Sequence, residues 1–185
     1  VLVFGAGPNG IILAQLLKHS NANQVICLAP TQSKLDVLNS YGVETIRMDR
    51  NNPEIHKQAV FQQFPYGVEA IVDATGSASV LPDCFQLLKK QGRLLQFSST
   101  KDDQNIVVNP AYFYRNELQY YTSYCQVHEF GRAVDAIASR KVRLDKLVSR
   151  LYPLEEFPKA IEDVLDHNVL KLIIRPNGME DWTDS

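Results

Sequence analysis

The 185-residue chain is 45% hydrophobic and 22% charged, which allows one good-sized domain, or one domain and a piece of another. Its net charge of −2 gives no electrostatic reason to expect nucleic acid or an anionic membrane as partner. No apolar run approaches the ~20 residues of a membrane span.

Residues 1–18, VLVFGAGPNGIILAQLLK, read as a strand (Val1 to Phe4), a glycine turn and an apolar-periodic helix. In that context G-x-G-x-x-G carries a mechanism. Gly5 permits the sharp turn, Gly7 lets backbone approach a pyrophosphate, and Gly10 lets helix pack on strand. Pro8 suits the first helical turn, and with Asn9 it heads a helix whose N–H groups and dipole favour phosphate. A glycine turn of this kind can also serve packing alone; the strand and helix around it favour a dinucleotide. A strand that must sit mid-sheet rarely begins a natural protein. The expectation is therefore a fragment or excised domain, and a missing targeting signal carries no weight.

Residues 24–29 read as a second strand, 33–42 as a helix and 44–49 as a third strand. Pro53 opens a helix running to Phe64, 68–76 form a fourth strand, 79–90 a helix ending at Gly92, and 93–99 a fifth strand. Strands alternating with helices at this length mean βαβ units and a parallel sheet. Val25–Ile26, Ile71–Val72 and Leu94–Leu95 are the expected core. After residue 100 the rhythm changes. NPAYFYRN reads as loop, 118–124 as a sixth strand, 127–140 and 158–167 as helices, 169–176 as a last strand, and the acidic end as a disordered tail.

The end of the second strand selects the cofactor. NAD-binding turns place Asp or Glu there, ~20 residues past the glycines, to hold the ribose hydroxyls. Here the position is Ala29, followed by Thr31, Ser33 and Lys34, which suit a 2′-phosphate; Lys34 as a merely solvated helix residue is the other reading. NADP is thus expected first and NAD second. Ala74, Thr75 and Gly76 end the fourth strand on the same crevice, where small residues let a nicotinamide ribose lie against backbone; Ser98 ends the fifth.

Cys27, Cys84 and Cys125 are dispersed, which argues against a disulfide framework and a four-cysteine zinc site, and fits a reducing, cytoplasmic setting. Cys27, inside an apolar strand, reads as a small buried hydrophobe. His19, His56, His128 and His167 lack metal spacing and read as surface residues on helices or helix ends. Tyr112, Tyr114, Tyr120, Tyr121 and Tyr124 suit packing or a subunit interface better than ligand stacking.

Four blocks carry a family resemblance: GAGPNG, VDATGSASVLPDCFQLLKKQGRLLQF, NELQYYTSY and LVSRLYPLEEFPKAIEDVLDHNVLKLII. In this order, over nearly all of residues 1–176, they resemble the medium-chain dehydrogenase/reductase family, nearest to zinc-dependent sorbitol and arabinitol dehydrogenases. The resemblance implies an α/β fold, a Rossmann doubly wound parallel sheet plus a C-terminal segment of a GroES-like catalytic domain whose main part is absent. Its divisions are residues 1–125 for the dinucleotide domain, 126–176 for the return segment and 177–185 for the tail. By position, Gly5, Gly7, Pro8 and Gly10 resemble the pyrophosphate loop, and Ala29 to Lys34 the ribose selector of NADP-using relatives, with Pro30 where an Arg can stand. Ala74 to Gly76, Ser98, Ser123 and Tyr124 resemble segments flanking the nicotinamide, and Lys171 a basic residue that reaches cofactor phosphates. Thr122 and Ser98 stand where glycines are common.

The zinc ligands and proton relay of such enzymes lie in the absent N-terminal half, so no catalytic residue and no metal ligand is assigned in this chain. The implied parent transfers hydride between NADP(H) and a polyol or other secondary alcohol, as a homodimer or homotetramer. The other readings are a non-catalytic dinucleotide-binding sensor or scaffold, and a zinc-independent, quinone-reductase-like member of the same family.

Overall fold

A computed structural model describes residues 1–124 and 128–178. They form two compact units, Val1–Val142 and the residues from Arg143 onward.

The first unit is one six-stranded sheet with helices between its strands. Its strands are β1 (Leu2–Phe4), β2 (Ile26–Ala29), β3 (Glu44–Arg47), β4 (Val68–Asp73), β5 (Leu88–Gln96) and β6 (Gln119–Thr122). Its helices are α1 (Pro8–Lys18), α2 (Gln32–Ser40), α3 (Pro53–Gln63), α4 (Leu81–Leu87), α5 (Pro110–Asn116) and α6 (Phe130–Ala138). The strand order is β3-β2-β1-β4-β5-β6 and every pairing is parallel. This is the doubly wound arrangement, with its switch point between β1 and β4.

The core lies against the central strands. Leu2, Phe4, Ile26, Leu28, Ile71 and Leu94 pack with Val60 of α3 and Leu81, Cys84 and Phe85 of α4. β1 and β2 are buried along their whole length, as near-continuous apolar strands of a covered parallel sheet must be. Of the residues expected in the core, Leu95 alone is half-buried.

Three stretches depart from the sequence reading. NPAYFYRN is not a loop: the Asn109 side chain caps α5 by accepting the N–H groups of Ala111 (3.0 Å) and Tyr112 (3.2 Å), with Pro110 in the first turn. The helix expected over 79–90 stops at Leu87 after a 3₁₀ turn at Ala78–Val80. Leu88 already pairs with Val68, the register shifts before Ala70 meets Arg93, and Gln91 takes a φ of 62°. Sheet pairing therefore overrides the helical spacing of LLKKQ. The helix expected at 158–167 is α7 (Phe157–Asp163), which belongs to the second unit.

That unit pairs β7 (Val148–Pro153) with β8 (Lys171–Arg175) in parallel, joined through α7. Tyr152 is buried, and its hydroxyl donates to Asp163, which also pairs with Arg150 (2.9 Å). Those two partners hold the Asp163 carboxyl below its usual range. Cys125, the first residue of the helix expected from 127, and the tail from Met179 lie outside the described residues.

A candidate dinucleotide site at the switch point

β1 ends between β2 and β4, and the chain turns at once into α1. The Gly5 N–H donates to the Leu28 carbonyl (2.8 Å) and the Ala74 N–H to the Phe4 carbonyl (2.8 Å), so the turn is clamped from both neighbouring strands. Gly5 has a φ of +105°, and a Cβ there would meet the Ala74 carbonyl oxygen at 2.9 Å. At Gly10 a Cβ would stand 1.9 Å from the Gly5 carbonyl oxygen. Gly7 differs: its backbone is extended (φ −73°, ψ 176°), and nothing lies within 4 Å of a Cβ placed on it. Two glycines are thus required by the protein's own packing, and the third faces open space at the head of a helix that no side chain caps. Beneath the turn, the buried Cys27 thiol donates to the Gly5 carbonyl (3.4 Å); burial pushes this thiol up to about 12, so it keeps its proton.

The selector segment leaves β2 on the same edge of the sheet. Ala29 is buried and its carbonyl accepts the Met48 N–H (2.9 Å). Thr31 precedes the first turn of α2 without capping it, and Ser33 (exposed) and Lys34 (half-buried) follow within that turn, both engaged with other groups of the chain. Asp36, the nearest carboxylate, accepts from Gln32 (2.9 Å) on the exposed face of the helix.

The opposite wall is the turn after β4. Asp73 is fully buried, and its Oδ1 accepts the Thr75 N–H (2.9 Å) and hydroxyl (2.6 Å), while Thr75 Oγ1 accepts the Ser77 N–H (3.1 Å). Its Oδ2 is buried without a hydrogen-bond partner among the described residues, and burial pushes the carboxyl above its usual range. An unpartnered buried polar atom costs about 1–3 kcal/mol. The Asp73 carbonyl accepts the N–H groups of Phe97 (2.9 Å) and Ser98 (3.2 Å), which sets Ser98 beside the same turn.

The carboxyl ends of β1, β2, β4 and β5 therefore bring the glycine turn, Ala29 to Lys34, Ala74 to Gly76 and Ser98 to one edge of the first unit. Ser123 follows β6, with its N–H on the Gln96 carbonyl (3.1 Å), and Tyr124 is exposed. Lys171 is not brought into this group: it opens β8 in the second unit and is exposed.

Two residues overturn or extend the sequence reading. His56 is not a surface histidine. It is buried under α3 with its ring edge-on to Phe4 (6.4 Å), both ring nitrogens lack hydrogen-bond partners among the described residues, and burial pushes its pKa down. Position on the inward face of α3 outweighs its polarity. Asp73 organises the turn after β4, and Asp two residues before Thr is the side-chain turn signal that marks it. Among the tyrosines, Tyr112 donates to the Phe85 carbonyl (3.3 Å), and Tyr120 donates to Gln96 and packs edge-on to Phe85 (5.5 Å).

The parallel sheet with a glycine turn at its switch point defines a Rossmann-type α/β unit. Comparison with known proteins narrows this. The family model for zinc-binding dehydrogenases matches residues 8–139, and the chain belongs to that family. It is 30% identical to D-arabinitol dehydrogenase 1 of Uromyces fabae, over 95% of this chain and 51% of that protein. It is 25% identical to the sorbitol dehydrogenase of Rattus norvegicus, over 95% of this chain and 49% of that one. The fold superposes with a TM-score of 0.84 on a crystal structure from Sinorhizobium meliloti 1021, described as a zinc-binding dehydrogenase bound to NADP, at 20% identity over 95% of this chain and 52% of that one. An alcohol dehydrogenase from Escherichia coli complexed with NADH gives 0.81, at 22% identity over 92% of this chain and 50% of that one. The named relatives are oxidoreductases of polyols and alcohols, and the chain spans about half the length of the curated relatives it matches.

A dinucleotide fits the residues present, because the open space at Gly7 faces an uncapped helix start. Zinc does not fit them. Among the described residues no three His, Cys, Asp or Glu side chains come together, and Cys27 and Cys84 are buried with thiol pKa values raised by burial. No described helix is long and apolar enough to cross a membrane.

Proposed function

We propose that this chain is the cofactor-binding portion of an oxidoreductase that moves hydride between NADP(H) and a polyol or other secondary alcohol. The open approach to Gly7, in a turn whose other two glycines are locked by packing, carries this reading. The α1 N-terminus and the N–H groups of Asn9 and Gly10 hold the pyrophosphate. Ala29, Thr31, Ser33 and Lys34 receive the 2′-phosphate, and Ala74, Thr75, Gly76, Ser98, Ser123 and Tyr124 line the nicotinamide end. A nicotinamide held there would supply the hydride acceptor for a carbinol carbon and, when reduced, the hydride donor for a ketone. Any zinc is held outside the described residues, and the first 125 residues, the segment 126–176 and the tail 177–185 are the functional divisions. The working setting is cytoplasmic.

The glycine turn at the switch point also fits one other reading, a dinucleotide-binding module without chemistry of its own. Calorimetric titration with NADP and NAD tests what both share. The parent chain is expected to bind, and Gly7→Val to lose binding at least about tenfold while its urea midpoint stays near the parent's. Equal affinity in the variant and the parent would sink the assignment.

A further inference from the structure

Asp73 joins three segments of the candidate site from inside the protein. It pairs in register with Phe4 on one side and Gln96 on the other. Its carbonyl anchors Phe97 and Ser98, and its Oδ1 holds the backbone and hydroxyl of Thr75, which in turn holds Ser77. The loop so fixed touches both neighbours. The Ala74 carbonyl lies against Gly5, and the Ser99 carbonyl lies 2.9 Å from where a Gly76 Cβ would be. A buried carboxylate with one oxygen unpartnered is a poor choice for stability alone, because burial disfavours its charge. What it contributes is the shape of a four-residue turn at the mouth of the crevice.

We propose that Asp73 is a positioning residue for the nicotinamide end of the site: without touching cofactor, its Oδ1 fixes Ala74–Ser77 in the form that receives the nicotinamide ribose. This rests on the dinucleotide reading above, and it makes a prediction that a general structural role does not. Loss of Asp73 should weaken the whole dinucleotide and spare its adenosine half.

The test is calorimetric titration of the 185-residue chain with NADP and with 2′-phospho-ADP, which lacks both the nicotinamide and its ribose; NAD and ADP serve if the chain prefers NAD. Asp73→Ala and Thr75→Val are expected to weaken the full dinucleotide about tenfold and to leave the truncated ligand within about twofold. Asp73→Asn keeps an acceptor oxygen and is expected to stay within about threefold of the parent. Thr75→Val, at a half-buried site, decides the matter if Asp73→Ala does not fold. Equal weakening of both ligands, or of neither, overturns the positioning role while leaving the cofactor reading intact. A parent chain that binds neither ligand overturns both.

Discussion

The centre and the edges of the first unit's sheet answer to different constraints. β1 and β2 are buried along their whole length, and the turn that follows β1 is clamped by both neighbouring strands. β6, at one edge, is exposed at all four residues, and β3, at the other, carries exposed Glu44 and Arg47 at its ends. The centre tolerates almost no added atom; the edges tolerate many but must manage unpaired backbone groups. Substitution effects are therefore expected to fall off from the switch point outward.

The largest effect is expected at Gly10. Even Gly10→Ala puts a Cβ against the Gly5 carbonyl, so the helix must move off the strand, at a cost of about 3 kcal/mol or more. Gly7→Ala, three residues away, meets nothing and is expected to cost under about 1 kcal/mol. Urea unfolding of the two variants measures the difference; similar losses would mean that the turn is not packed as described.

Next comes the selector at the end of β2. Lys34→Ala is expected to weaken NADP by about 1.5–3 kcal/mol, the worth of a hydrogen bond to a charged group, and to leave NAD nearly unchanged. Ala29→Asp, by placing a carboxylate where the 2′-phosphate would lie, is expected to turn preference toward NAD. A parent chain that binds NAD at least as tightly as NADP removes the selector reading.

These central features were legible in the sequence because each is a local pattern. Glycine spacing, apolar runs and the missing carboxylate at Ala29 need no knowledge of partners far along the chain. What could not be read depends on non-local pairing. Leu88 joins β5 because Val68 stands opposite it, although LLKKQ has good helical spacing. His56 is buried because α3 turns it toward Phe4, and a histidine's own chemistry gives no hint of that. Ser98 stands beside the turn after β4 because its N–H bonds the Asp73 carbonyl, more than twenty residues upstream. α5 is the exception: its Asn-Pro start is a local signal that the three aromatics of NPAYFYRN obscured.

His56 then gives the centre a dependence on pH. Burial lowers its pKa first, Lys57 lowers it further, and Asp83, Asp49 and Glu54 oppose both. Below its ordinary 6.5 the unfolded chain takes up a proton that the folded chain resists. Stability is therefore fully present above that pH and is lost as pH falls toward the folded value. His56→Phe should flatten this part of the stability profile, measured as urea midpoints between pH 5 and pH 8. An unchanged slope would mean that other groups set it.

The smallest stability effect, and the sharpest contrast between the edges, is expected at β6. Its residues Gln119, Tyr120, Tyr121 and Thr122 are uncharged, whereas β3 is guarded by Glu44 and Arg47, the usual device against edge pairing. Two copies of this chain are therefore expected to associate through β6 and not through β3. Tyr121 is 52% exposed, and its hydroxyl bonds to Gln119 in the same strand (2.8 Å), so Tyr121→Lys removes little from the monomer, about 0.5 kcal/mol or less. It does place a like charge on both sides of a two-fold strand pairing. Sedimentation velocity at high micromolar concentration is expected to find the parent as a dimer, Tyr121→Lys as a monomer and Arg47→Ala as a dimer. A monomeric parent would remove the β6 interface. A dimer lost with Arg47→Ala but kept with Tyr121→Lys would move the interface to the opposite edge of the sheet.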